Sequence, residues 1–473
     1  MAQAGMNAAK PSEAPRSLLA FSLASFPTGA FVITLAVYLP NYFTSALGLP
    51  LATVGVVFAI IRLFDIGVDP LLGIAMDHTR TPIGRYRPWL IAAMPVLLVA
   101  TAALYLKTTP VSAFYLAVWL IVLYAGYSMM MLSLAAWASV LVVEYHARSR
   151  IYGWLYTIGI LGSVAVLLLP QVTATLWPAA PVKGVPLMGW FLIVFVPLAL
   201  GTTVSFAHEP ERPRSAHSER VSIKDYLALF LRPEMRRILF AVLFCVMGPA
   251  ITAPLYIFFF EQARGYTATQ TNWLLMIYLA AGFFGPPLWM RVAHRLGKHP
   301  TVVVASVCYA LAQTFLLMLP PARVAAMSGA MFLVGFVASS FVFLLRAMVA
   351  DVSDDVLLET EKDRTGLLYA LETSAEKIGS TVSVGIAYAL LPLFGFNAAA
   401  GAINTPHAIW GLELCYLGPP SLSVLIGGLA MWGYKLDERR HATIRRELDE
   451  RRLSETNAQL PTAKLAESPA SGT

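Results

Sequence analysis

Twelve separate apolar runs, each long enough to cross a bilayer, constrain this chain more than any other feature. They lie at roughly 18–43, 51–76, 88–106, 111–143, 151–178, 187–207, 237–261, 268–292, 301–319, 324–350, 366–396 and 412–434. A spanning α-helix needs about 20 apolar residues at about 1.5 Å of rise each. Inside lipid, every backbone polar group must find its partner within its own segment. The runs therefore predict an all-α polytopic membrane protein with twelve transmembrane helices. Composition agrees, with 58% of the 473 residues hydrophobic and 13% charged, which excludes a soluble globular domain.

The net charge of +7 could suggest nucleic acid, but the basic residues form no single patch. Roughly 27 of the Lys and Arg residues fall on one side of the membrane, about four in the opposite loops and about three inside the runs. That asymmetry places both termini in the cytoplasm of a multi-pass plasma (inner) membrane protein. No nucleic-acid partner is expected. The predicted organisation is an N-terminal tail at 1–17, a six-helix bundle at 18–207 and a cytoplasmic linker at 208–236. A second six-helix bundle follows at 237–434, then a partly disordered tail at 435–473. Within the linker, Ile223–Leu231 suits a short helix lying along the membrane surface. Cys245, Cys308 and Cys415 sit in apolar runs without disulfide or metal spacing, and read as free core thiols.

The second run carries Arg62, Asp65 and Asp69 followed by Pro70. Ionisable groups inside a bilayer cost about 3 kcal/mol each on insertion scales, so they persist when paired, neutralised or wetted. Asp65 and Asp69 share one helix face at i and i+4, and Arg62 can reach Asp65. Pro70 cannot donate to the carbonyl of Ile66, which leaves a bare oxygen beside the carboxylates. Hard oxygen ligands of this kind suit a small cation or a proton. The alternative is a salt bridge that only fixes helix packing.

The rest of the chain supplies further candidates. Phe26-Pro27-Thr28-Gly29 predicts a bend in the first span. In the fourth span, Tyr127 and Ser128 face either a cavity or a packing surface. Lys377 lies near mid-depth in the eleventh span, with Asp65, Asp69 or Glu376 as natural partners. A lysine there would compete with a bound cation for the same anions. Charges at Asp77, Arg80, Arg85, Glu144, Arg148, Asp351, Asp354 and Arg364 are expected in cytoplasmic loops, either as a gate between the halves or as solvated charge. The segment from Asp437 to Arg452 is charged nearly all round and predicts a solvated helix. A weak echo, Pro70 with Asp77 and Pro287 with His294, suggests that the halves are parallel repeats.

The stretch Asp65 to Trp89 fits the pattern D-x-x-x-D-P-x-x-G-x-x-x-D-x-T-R-[ST]-x-x-G-R-x-R-P-W. In this it resembles the glycoside–pentoside–hexuronide:cation symporters, the melibiose-permease-like branch of the major facilitator superfamily. Tyr127, Ser128, Glu144, Arg148, Asp351, Asp354, Arg364, Lys377 and Gly379 extend the resemblance over about 18–435. It implies a twelve-helix major facilitator fold of two six-helix halves that couples a solute to Na⁺, Li⁺ or H⁺. Asp65 and Asp69 fall at the family's cation carboxylates, Ser128 at a hydroxyl completing that site, and Lys377 and Arg62 at basic residues beside it. Two positions where melibiose permease holds sugar with carboxylates are Gly29 and Met131 here. Val68 replaces an amide ligand of the sodium users, which shifts weight toward H⁺.

The leading expectation is therefore cation-coupled symport of a carbohydrate-like solute by alternating access. The missing carboxylates leave open a less polar solute, or a uniporter or exporter on the same fold. A membrane transferase holding Mg²⁺ at Asp65/Asp69 and Asp351/Asp354 is disfavoured, because the pairs lie at different depths and lack basic neighbours for a diphosphate. No nucleotide or dinucleotide fingerprint occurs, so no cofactor is expected beyond the coupling ion. The expected partners are the small solute, the cation and the lipid bilayer, with the protein a monomer.

Overall fold

Long apolar helices fill the structure, a computed structural model that describes residues 15–141, 145–177, 184–207, 223–321, 323–362, 364–399 and 401–451. Twelve are long and apolar enough to cross a membrane. They are α1 (Leu19–Ser45), α2 (Leu51–His78), α3 (Arg87–Tyr105), α4 (Ala113–Leu141), α5 (Tyr145–Leu176) and α6 (Val185–Phe206). The second set is α7 (Pro233–Ala263), α8 (Ala268–Leu296), α9 (Lys298–Met318), α10 (Val324–Thr360), α11 (Thr365–Leu390) and α12 (Pro406–Ala430). Among the described residues the only β pairing is an isolated bridge between Thr81 and Gly84.

Packing repeats with an offset of six helices. In the first half α1 packs on α5, α2 on α4, α3 on α4 and α6; in the second, α7 packs on α11, α8 on α10, α9 on α10 and α12. Across the halves, α2 meets α11 and α5 meets α8, again a symmetric pair. The echo noted in sequence falls where each second helix ends. Its turn is closed by a glycine at positive φ in both halves, Gly84 at 120° and Gly297 at 89°, a region that side chains with a Cβ rarely enter.

The bend in α1 appears one turn earlier than its proline. Pro27 has no N–H for the carbonyl of Leu23, and the chain turns at 23–24, where Phe26 N donates to Leu23 O at 3.0 Å. A π-helical segment follows at Thr34–Tyr38. There Tyr38 donates its hydroxyl to Asn272, near the start of α8, joining the halves.

Two expectations for the cytoplasmic side are corrected. Asp351 and Asp354 lie on α10 itself, not in a loop, because α10 runs ten residues past its apolar run. Val352 and Val356 keep a buried stripe going along that extension. The helix over 438–451 is not simply solvated. Ile444 is 0% exposed and Leu448 is buried one turn on, so a narrow apolar seam docks it. Arg451 donates to Leu358 O at 3.0 Å, which places the docked face against the α10 extension. The helix Ile223–Leu231 is present, with Leu229 buried and Leu227, Phe230 and Leu231 exposed. Cys245, Cys308 and Cys415 are free thiols.

Candidate functional site

The i, i+4 spacing of Asp65 and Asp69 sets both carboxylates on one face of α2, between α4 and α11. Asp65 turns to α4, where Ser128 donates its hydroxyl to Oδ1 at 2.8 Å with both residues buried. Asp69 turns to the other half, where Lys377 of α11 donates to Oδ2 in a short ion pair. The remaining oxygen of Asp69, Oδ1, is buried without a hydrogen-bond partner. Arg62 does not close an ion pair with Asp65. Its guanidinium lies over the ring of Tyr124, 5.1 Å from the centroid, a cation–π contact.

Toward this cluster α4 carries Tyr124 and, one turn on, Tyr127 and Ser128. Tyr127 meets Phe31 of α1 edge-on, with centroids 6.0 Å apart. Met131, one turn further, is 38% exposed. With both acids ionised, Asp65 and Asp69 are balanced by Arg62 and Lys377. An added cation therefore upsets a neutral set unless Lys377 gives up its hold on Asp69 or its proton. Among the described residues, no group of three or more His, Cys, Asp or Glu side chains is arranged to hold a metal ion.

Gly29 has no room for a side chain. A Cβ built on it would lie 1.7 Å from the backbone oxygen of Gly159, and Ser163 donates to the Gly29 carbonyl at 2.8 Å. It is a point of backbone contact between α1 and α5, and no side chain fits there. Glu376 pairs with Arg346 at 3.2 Å and not with Lys377.

Of the expected gate, Glu144 lies outside the described residues, as do the side chains of Asp77 and Arg148. Arg80 is exposed in the α2–α3 turn, and Arg85 donates from Nε to Met76 O at 3.1 Å. Asp351 pairs with Lys298 at 2.6 Å, and Asp354 with His441 at 3.0 Å and Arg445 at 3.4 Å. These partners all belong to the second half or its terminal helix. Arg364 flanks the start of α11, its carbonyl accepting from Leu367 N at 3.0 Å. Sequence reasoning did not single out Tyr124, Lys298, Arg346 or His441. Arg346 was detectable as a basic residue inside an apolar run; the others become visible only through packing.

A sequence profile described as MFS/sugar transport protein matches residues 20–438. The isoprimeverose transporter of Lactiplantibacillus pentosus is 22% identical, covering 88% of each chain. The putative glycoside/cation symporter YagG of Escherichia coli strain K12 is 24% identical, over 88% of this chain and 91% of its own. The putative sulfoquinovose importer of Salmonella typhimurium is 23% identical over 92% of both. Among solved structures, nucleoside transporter NupG superposes with a TM-score of 0.64 at 12% identity, covering 89% of this chain and 99% of that one. A bacterial homologue of the lysosomal transporter Spinster, in an inward-facing and unoccupied conformation, gives 0.61 at 12% identity, over 93% and 99%. These structural likenesses show the major facilitator fold, and the symporter resemblance read from Asp65 to Trp89 agrees with the relatives. The chain belongs to the MFS/sugar transport protein family and is a multi-pass membrane transporter, not an enzyme.

Proposed function

We propose that this protein is a cation-coupled symporter of a carbohydrate or glycoside, working by alternating access in the plasma membrane with both termini cytoplasmic. The observation that carries the reading is the Asp69–Lys377 pair beside the buried Asp65–Ser128 bond. It supports the reading because both acids lie on the helix of the first half that meets α11 of the second. A cation arriving at Asp65 and Asp69 competes with the Lys377 ammonium. Its binding frees Lys377 toward the solute and loosens one tie between the halves. The pair of acids suits H⁺ best, because Val68 offers no oxygen and a proton needs only one. Na⁺ or Li⁺ at Asp65 and Asp69 is the variant that further ligands would have to support.

A second reading, a less polar solute, is favoured by one observation. Gly29 cannot bear a carboxylate in this packing, and the partly exposed Met131 presents a thioether where a sugar hydroxyl would want an acceptor.

The test is the melting temperature of the detergent-purified protein in Na⁺, Li⁺ and choline at several pH values. A ligand at 100 times its Kd stabilises the folded state by about 2.7 kcal/mol. A shift by Na⁺ or Li⁺ that Asp69→Asn abolishes identifies a metal-ion site. A pH-dependent shift that needs Asp69 identifies H⁺. No dependence of either kind on Asp69 would sink the coupling, and a panel of labelled saccharides in proteoliposomes then decides the solute.

A further inference from the structure

A second group of charges lies inside the C-terminal half. Arg346 of α10 donates from Nε to Oε1 of Glu372 at 3.2 Å and from Nη2 to Oε2 of Glu376 at 3.2 Å. The two acids are one turn apart on α11, so one helix face presents both to a single guanidinium. Glu372 is 1% exposed, and its other oxygen, Oε2, is buried with no hydrogen-bond partner. Among the described residues, Arg346 is the only basic group paired with either acid. With both acids ionised, the trio carries one surplus negative charge, and a bare buried oxygen is the least solvated place for it.

From α11, Tyr369 donates its hydroxyl to the backbone carbonyl of Arg346 at 3.4 Å. From α7, the backbone carbonyl of Leu243 approaches α11 at Gly379. From α2, Asp69 is held by Lys377, the residue after Glu376.

We infer that Arg346, Glu372 and Glu376 form a proton-binding site, with the proton on Oε2 of Glu372. One proton brings the trio to neutrality and turns the unpartnered oxygen into a hydroxyl. A hard metal cation takes several oxygen ligands, whereas the trio offers one free buried oxygen. The step balances simply: a hydronium ion gives up a proton, an O–H bond forms at Glu372, and water is left. The way in runs past Arg346, whose side chain is 47% exposed. A charged head at this depth faces a wet cavity, not lipid. The site shares no ligand with Asp65 and Asp69, and it stands whether or not those acids couple transport. Its protonation state decides whether Arg346 is gripped by two carboxylates or by one, and hence how firmly α10 holds α11.

The experiment is infrared spectroscopy of the purified full chain at neutral pH in H₂O and D₂O, with choline as the only added cation. A protonated carboxylic acid has a carbonyl band distinct from that of a carboxylate, and deuteration shifts it. The band is expected in the native protein and in Asp69→Asn, and lost in Glu372→Gln, whose amide has the size of the protonated acid. Glu376→Gln is the second variant. It removes the surplus charge without touching Glu372, so the band should also fall there. A native protein without the band, or a Glu372→Gln protein that keeps it, overturns the inference. Loss of the band in Asp69→Asn alone assigns the proton to the α2 acids instead and equally overturns it.

Discussion

Lys377 and Asp69 are 308 residues apart in the chain, yet they form an ion pair that joins α11 of one half to α2 of the other. The tie crosses the contact between the halves, where rocking of one against the other must either preserve it or break it. On the proposed reading, coupling follows from competition: a cation taken up at Asp69 would replace a tie between the halves, so loading would change the balance between conformations.

Asp69→Asn removes that charge and keeps the side-chain size. It should abolish accumulation driven by a cation gradient and leave downhill exchange working. Uptake into membrane vesicles under an imposed Na⁺ or pH gradient, set against solute counterflow, checks this. Full concentrative uptake by the variant contradicts the assignment.

Ser128→Ala deletes the hydroxyl that donates to Asp65 inside the protein. A hydrogen bond to a charged group contributes about 1.5–3 kcal/mol, and each 1.4 kcal/mol is about tenfold in affinity. The cation concentration that half-maximally raises the melting temperature should increase about tenfold or more. An unchanged midpoint would place Ser128 outside the cation site.

Gly29→Asp and Met131→Asp put a carboxylate at the two positions where the symporter resemblance implies one, and the structure separates them. At Gly29 the new Cβ would strike backbone, the Gly159 oxygen at 1.7 Å, which cannot yield as a side-chain tip could. Gly29→Asp should lose folded protein by size-exclusion chromatography. Met131 is partly exposed, so Met131→Asp should remain folded and move solute preference toward polyhydroxylated compounds in a competition assay.

Ile444→Ala empties part of the seam that docks the terminal helix. Truncating a buried Ile costs about 2–5 kcal/mol, confined here to the docking contact. Proteolysis should reach the 438–451 segment sooner in the variant while the membrane core stays intact. Equal protection in both proteins would mean that the His441 and Arg445 contacts to Asp354 hold the helix on their own.

The membrane helices were legible because lipid leaves a long apolar run one structure to adopt, and the repeat was legible because two halves punctuate their second helices alike. Asp65, Asp69 and Lys377 stood out as charges where charge is costly. What sequence could not give was direction. Asp65 and Asp69 share a face, yet one serves its own half and the other the partner half, a choice made by α4 and α11. Glu376 stands next to Lys377 in sequence, but adjacent residues on a helix point about 100° apart, and Arg346 claimed it. The α10 extension was missed because hydropathy falls at Asp351 while the buried Val352 and Val356 sustain the helix. The terminal helix was misread because two apolar residues, four apart, suffice to dock a surface that is otherwise charged.

At 37 residues α10 is about 55 Å long, well beyond the roughly 30 Å of a hydrocarbon core. Its inner end is clamped to Lys298 at the head of α9 and to His441 and Arg445 of the terminal helix. That makes this end of the second half a stiff lever and not a set of loose loops. A fluorophore attached to the exposed face of 438–451 would ride on that lever, so the turning of a half buried in lipid can be followed from the water.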